Sequence, residues 1–214
     1  MSEQPEEVES KNDSKQAEES LMSSIALIGD VTEETSNDLI FGLLLLHEKN
    51  SNDYLKALLE MTEEQTEEIG LESLKPNIDF YISTNGGSAD EMFAIYDIIR
   101  FIKESKTCDI STCGIGKVMS AGVLLLASGT KGKRRVGKHC RIMIHSVIGG
   151  STGPMHQLEN EFSEVKKIQD TYIKALVEES NMTEEYLRDL LKKKINVYLS
   201  AEEAVELGIA DEVF

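Results

Sequence analysis

Ser120 stands directly before Ala121 and Gly122, at the head of the apolar run SAGVLLLA and after a strand and what reads as a glycine turn from Cys113 to Gly116. A serine at a helix start meets free backbone N–H groups, because the first four have no acceptor inside the helix. Such donors can hold a developing oxyanion, and small neighbours let a peptide backbone come close. The same place equally suits a serine that only caps the helix through its hydroxyl. Taken alone, Ser120 is better explained as a cap.

A serine nucleophile needs a base of near-neutral pKa to take its proton. The chain has four histidines. His47 falls in a helical segment, His139 in a basic turn and His156 on a long helix. His145 alone ends an apolar strand, RIMIH, with Ser146 next and Gly149-Gly150 shortly after. A lone histidine there is more often structural. Gly86-Gly87, after the strand IDFYIS, offers a third part, since paired glycines expose backbone N–H groups to a tight turn or to an oxyanion. By itself that pair reads as a turn.

The elements that must position these residues follow from periodicity. Residues 24–29 (SIALIG) read as a short strand, and Thr32 caps a helix through LIFGLLLL with Glu33 and Glu34 in its first turn. From about 50 to 77 the composition turns polar and acidic, although Tyr54, Leu55, Leu58, Leu59 and Met61 could form an amphipathic turn or two. This segment reads as a surface insertion. Residues 78–83 alternate as a strand, and Ser88 with Glu91 predicts a capping box for a helix carrying Met92, Ile95, Ile99 and Ile102. A strand at 109–113, a buried helix at 120–127 and a strand at 141–145 come next. Leu158, Phe162, Val165, Ile168, Tyr172 and Leu176 mark one face of a long helix starting near Pro154. Thr183 caps another helix, and Ser200 with Glu203 caps a last one that Gly208 ends. Strands alternating with helices predict an α/β domain on a largely parallel sheet.

Composition bounds the rest. The chain has 214 residues, enough for one domain with its own core, and is 40% hydrophobic and 29% charged. The expected division is an acidic disordered arm at 1–20 and one domain at 21–214 carrying the insertion. No apolar run reaches the ~18 residues that a membrane span needs, and the polar N-terminus does not resemble a signal peptide. A net charge of −17 argues against nucleic acid and anionic membranes as partners. Cys108, Cys113 and Cys140 lack metal-type spacing and read as reduced core thiols in a cytoplasmic or equivalent reducing compartment, such as an organelle stroma or an infected-host cytosol. Neither a metal nor a cofactor is expected, and the chain holds no GxxxxGK[ST] motif for ATP. The basic run at 131–138 (KGKRRVGK) reads as a solvated turn.

Four segments in order, NGGSADEMFAIYDIIRFIK, GKVMSAGVLLLASGTKGKR, RIMIHSVIGG and YLSAEEAVELGIAD, resemble the signature blocks of the Clp protease proteolytic subunit. The likeness extends over about residues 24–214 and includes the 25-residue spacing from Ser120 to His145. It implies a crotonase-like, ClpP-type α/β domain of ββα superhelix units, with a long handle helix at about 154–179. Two stacked heptameric rings, homomeric or mixed, would enclose a chamber in which unfolded polypeptides are cut. Ser120 would be the nucleophile, His145 the base, and the N–H groups of Gly87 and Ala121 the oxyanion hole. The substrate would add a strand beside Gly87 and the stretch after His145. An AAA+ unfoldase would feed the chamber.

Some positions depart from the family pattern. Aligning YLSAEEA without gaps puts Asn196 where the family has its catalytic Asp, with Asp189 as a less favoured third residue in a predicted helix. An Asn can orient imidazole but adds no charge, and in trypsin the same change costs about 10⁴ in rate. Asn85 stands in place of a usual Pro, and the acidic arm replaces an apolar axial segment. Tyr81, Phe101 and Ile115 keep parts of the unfoldase-docking surface, whereas Asp79 replaces an aromatic. The rival readings are a weak or inactive ring subunit with a structural role, and an acyl-CoA-binding crotonase relative.

Overall fold

A computed structural model describes residues 23–193 and 195–214, so the expected arm at 1–20 lies outside the described residues. Strand β1 (Ser24–Ile28) leads through the Thr32 cap into helix α1 (Glu33–Glu60). There Thr32 and Thr35 satisfy each other's backbone N–H groups in a reciprocal box. Helix α1 does not stop at the polar segment. It runs on for 28 residues, because Asn50 and Tyr54 are buried: Asn50 Nδ2 donates to Cys108 Sγ at 3.6 Å, and the Tyr54 hydroxyl donates to Leu71 O at 3.4 Å. Helix α2 (Glu63–Ile69) and a 3₁₀ turn (Leu71–Leu74) complete this region. The expected one or two turns are thus a continuous helix and a second short one.

Strand β2 (Asn77–Thr84) alternates strictly, with Ile78, Phe80 and Ile82 fully buried. Helix α3 (Ala89–Glu104) follows, its buried face made by Met92, Ile95, Tyr96, Ile99 and Ile102. Only half of its predicted capping box forms: Ser88 Oγ accepts the Glu91 N–H at 3.3 Å. Strand β3 (Asp109–Met119) passes straight through the glycines expected to form a turn. Its pairing with β2 slips between Ile82↔Gly114 and Thr84↔Val118, so the glycines mark a bulge instead. The bend lets one strand serve two neighbours. Residues Thr112–Gly114 pair with β4 (Arg134–Val136), and Lys117–Met119 pair with β5 (Arg141–Ile144).

The sheet runs β1-β2-β3-β4-β7 in parallel, with β7 at Glu212–Val213. From it branch β5 and β6 (Val197–Leu199), the latter antiparallel. Helix α4 (Ala121–Ala127) is buried at every position and sits under α3 and the sheet. Helix α5 (Met155–Glu179) has Pro154 as its cap residue and buries only Tyr172, Ile173, Ala175, Leu176 and Glu179. Its first half stands away from the core, with Phe162 62% exposed. Helices α6 (Glu184–Lys192) and α7 (Ala201–Glu206) close the chain, and α7 carries the full Ser200–Glu203 box.

The basic run is not a solvated turn. Arg134 is 3% exposed and grips Asp211 through two nitrogens, at 2.9 and 2.5 Å. Its remaining nitrogen donates to the carbonyls of Ala127, Glu179 and Gly208. One buried guanidinium thereby ties together the ends of α4 and α5 and the turn before β7. Glu179 is buried beside it, accepting from the Tyr96 hydroxyl at 3.2 Å and facing Lys103 Nζ at 3.5 Å.

Candidate active site

The bulge at the end of β3 delivers Ser120 to the surface with φ 54° and ψ −120°. A non-glycine residue there costs on the order of 1–3 kcal/mol, so its surroundings must impose it. They do so with backbone bonds. Ser120 N–H donates to Met143 O at 2.8 Å, and its carbonyl accepts from Val123 N–H at 3.0 Å and from the Tyr172 hydroxyl at 3.2 Å. The Ser120 side chain makes no cap bond to α4. The capping explanation therefore fails, and the hydroxyl is left for other use.

Gly86 and Gly87 pack against this corner. A Cβ on Gly86 would lie 2.5 Å from Ser120 Cβ, and Gly86 has φ +99°, so only glycine fits. A Cβ on Gly87 would lie 2.1 Å from Val31 O. The turn is stitched to the end of β1 by Val31 N–H to Gly86 O (2.8 Å) and Ser88 N–H to Val31 O (2.9 Å). Neither bond uses the Gly87 N–H. Asn85, in place of the usual Pro, donates to Asp30 Oδ1 at 3.1 Å.

His145 follows β5, half-buried. Its Nδ1 lies 2.6 Å from Ser146 O. A carbonyl oxygen can only accept, so Nδ1 carries a proton, and in the neutral ring Nε2 then holds the lone pair. That is the tautomer a general base requires.

Ser120, Ala121, His145 and Gly87 border one cleft of about 350 Å³. Its walls are largely apolar, from Met92, Val147, Ile148, Ile168 and Tyr172. Asn196 does not border it. It is exposed, one residue before β6, at the register position opposite His145. Asp189 lies on α6, where its carboxylate pairs with Lys192 at 3.1 Å in an exposed position. Burial pushes all three thiols above their usual value, Cys140 to about 11, which makes them poor competing nucleophiles. No group of three or more metal-ligating side chains occurs among the described residues. Nor is any helix among them long and apolar enough to cross a membrane.

Sequence reasoning missed two groups at this site. Tyr172 reads only as part of the apolar stripe of α5, and Gln169 carries no signal at all. Yet Tyr172 binds the Ser120 carbonyl, and Gln169 Oε1 accepts the Val147 N–H at 3.2 Å.

A strained serine at a helix start, a strand-end histidine and a glycine turn thus border one cleft. The model of the Clp protease family matches residues 60–214. The chain belongs to the Clp protease family, and the matched region contains Ser120, His145 and Asn196.

Proposed function

We propose that the chain is a proteolytic ring subunit that hydrolyses peptide bonds of unfolded polypeptides through an acyl-enzyme on Ser120. One observation carries this most: the Ser120 hydroxyl is not engaged in capping and shares a cleft with a histidine held in the base tautomer. Ser120 Oγ attacks the scissile carbonyl while His145 Nε2 takes its proton. The N–H groups of Gly87 and Ala121 hold the oxyanion. As the tetrahedral adduct collapses, the C–N bond breaks and His145 returns the proton to the leaving amine. Water, activated by the same imidazole, then frees the acid and restores Ser120.

Family members generally assemble as rings and work with AAA+ unfoldases, and the reading extends to a crotonase-like domain in two stacked heptameric rings. The uncovered first half of α5 supports a role as the handle between rings. Phe101, 56% exposed, supports docking of an unfoldase, with Tyr81 and Ile115 as further candidate contacts. The three free, buried cysteines suit the cytoplasm or a similar reducing compartment. Ser120→Ala tests the mechanism. It is expected to abolish cleavage of short fluorogenic peptides and labelling by a serine-reactive phosphonate, with assembly intact. Cleavage at the parent rate would refute it.

A second reading has its own observation. Among the described residues no carboxylate borders the cleft, and Asn196, in register with His145, brings no charge, which supports a weak or silent subunit of a mixed ring. Phosphonate labelling of the parent chain separates the two.

A further inference from the structure

A trans peptide unit is planar, so its C=O and the following N–H point in opposite directions and turn together. The Tyr172 hydroxyl donates to the Ser120 carbonyl at 3.2 Å. The other end of that peptide unit is the Ala121 N–H. Gln169 Oε1 accepts the Val147 N–H at 3.2 Å. The other end of that unit is the Ser146 carbonyl, which accepts from His145 Nδ1 at 2.6 Å. Both side chains come from α5, three residues apart, and therefore from one face of one helix.

We propose that Tyr172 and Gln169 are positioning residues, each gripping one end of a peptide unit whose other end serves the reaction. Tyr172 aims the Ala121 N–H into the oxyanion hole. Gln169 holds the Ser146 carbonyl against His145, so a backbone oxygen takes over the tautomer-setting task of the missing carboxylate. The inference rests on the Ser120–His145 reading. Tyr172 is 4% exposed, and its burial pushes the phenol well above its usual pKa, so it remains a donor across the working pH range. A hydrogen bond to the carbonyl end also polarises the peptide, which strengthens its N–H as a donor. Because one helix face holds both units, any shift of α5 along its axis would move the oxyanion donor and the histidine clamp together.

The experiment uses the full chain and one short fluorogenic peptide, with oligomeric state and Tm measured in parallel. Tyr172→Phe removes only the hydroxyl and is expected to lower kcat about tenfold at unchanged KM. This is less than the ~10²–10³ lost when an oxyanion donor is removed outright, because the donor is misaimed rather than absent. Gln169→Leu is expected to lower kcat similarly, and Gln169→Glu, which keeps an accepting oxygen, to restore most of it. A role limited to packing predicts the opposite pattern, with Leu tolerated and the buried charge of Glu harmful. Parental kcat in both Tyr172→Phe and Gln169→Leu, or Gln169→Glu as slow as Leu, overturns the proposal. A parent that reacts with no serine-directed phosphonate overturns the peptidase reading itself, and this inference with it.

Discussion

Asn196 stands one step beyond the Val197↔Ile144 pair of the antiparallel β5–β6 ladder, which places it opposite His145. His145 nonetheless directs Nδ1 to Ser146 O. Position and partnership have separated. The ladder keeps Asn196 in register with the histidine, while the imidazole hydrogen bond goes to the backbone.

Two substitutions at 196 follow from that separation. Asn196→Ala is expected to change kcat/KM by less than about twofold, since the Ser146 carbonyl already sets the tautomer. Asn196→Asp brings a negative charge towards the imidazolium formed during acylation, and a tenfold gain requires only about 1.4 kcal/mol of barrier. Steady-state kinetics on one short peptide checks both. A large loss in the alanine variant would restore Asn196 as the third member. If Asp at 196 assembles normally and is no faster, Asp189→Asn is the next substitution to measure.

Gly86→Ala should damage fold and activity together. The new methyl would meet Ser120 Cβ at 2.5 Å and Met119 O at 3.0 Å, at a φ that alanine rarely adopts. Overpacking of this kind costs about 1–3 kcal/mol before the backbone strain is added. Thermal melting should show a lower Tm, and phosphonate labelling should be slow even in the fraction that stays folded.

The Arg134–Asp211 pair should govern part of the acid response. Burial alone would push the Asp211 carboxyl up. Its bonds from the Arg134 side chain and from the N–H groups of Arg134 and Gly132 outweigh this and hold it below its ordinary 3.8. A depressed carboxyl stabilises the fold above its unfolded pKa and loses that contribution as pH falls through the folded value. Denaturant titrations from pH 6 to pH 2 should therefore show a steep loss below about pH 4 in the parent that is smaller in Asp211→Asn. At neutral pH the variant should be weaker by about 3 kcal/mol, because Arg134 is left buried without its countercharge. An unchanged midpoint would mean that the pair is not important for stability.

The exposed half of α5 offers a direct test of assembly. Phe162 is 62% exposed, with Lys166 Nζ over its ring at 4.4 Å. A charge at an apolar inter-ring contact is expected to halve the particle mass in light scattering, so Phe162→Asp should yield single rings. Particles of parental mass would remove Phe162 from that contact.

Much of this architecture was legible in the residues themselves. The strict alternation in β2, the helical spacing of α3, the Thr32 cap and the Ser200–Glu203 box all appear where local chemistry puts them. Each is decided by neighbours within about four residues, the range over which periodicity and capping act. Ser120 and His145 each stand out locally by their place at the end of an element, but it was the resemblance of four ordered segments that favoured them over a cap and a structural histidine. The course of α1 past residue 50, the bulge that carries β3 through its glycines, and the burial of Arg134 depended on partners far along the chain, namely Cys108, Thr84 and Asp211. So did the grip of Tyr172 and Gln169, since an apolar stripe reports which face of a helix is covered and not which peptide its polar atoms will meet. The sequence by itself determined most of the long elements and the side chains that are candidates to react. Tertiary structure alone decided which amide holds the Ser146–Val147 peptide and which hydroxyl holds the Ser120–Ala121 peptide, because hydrogen bonds between distant segments depend on packed geometry that no local pattern encodes.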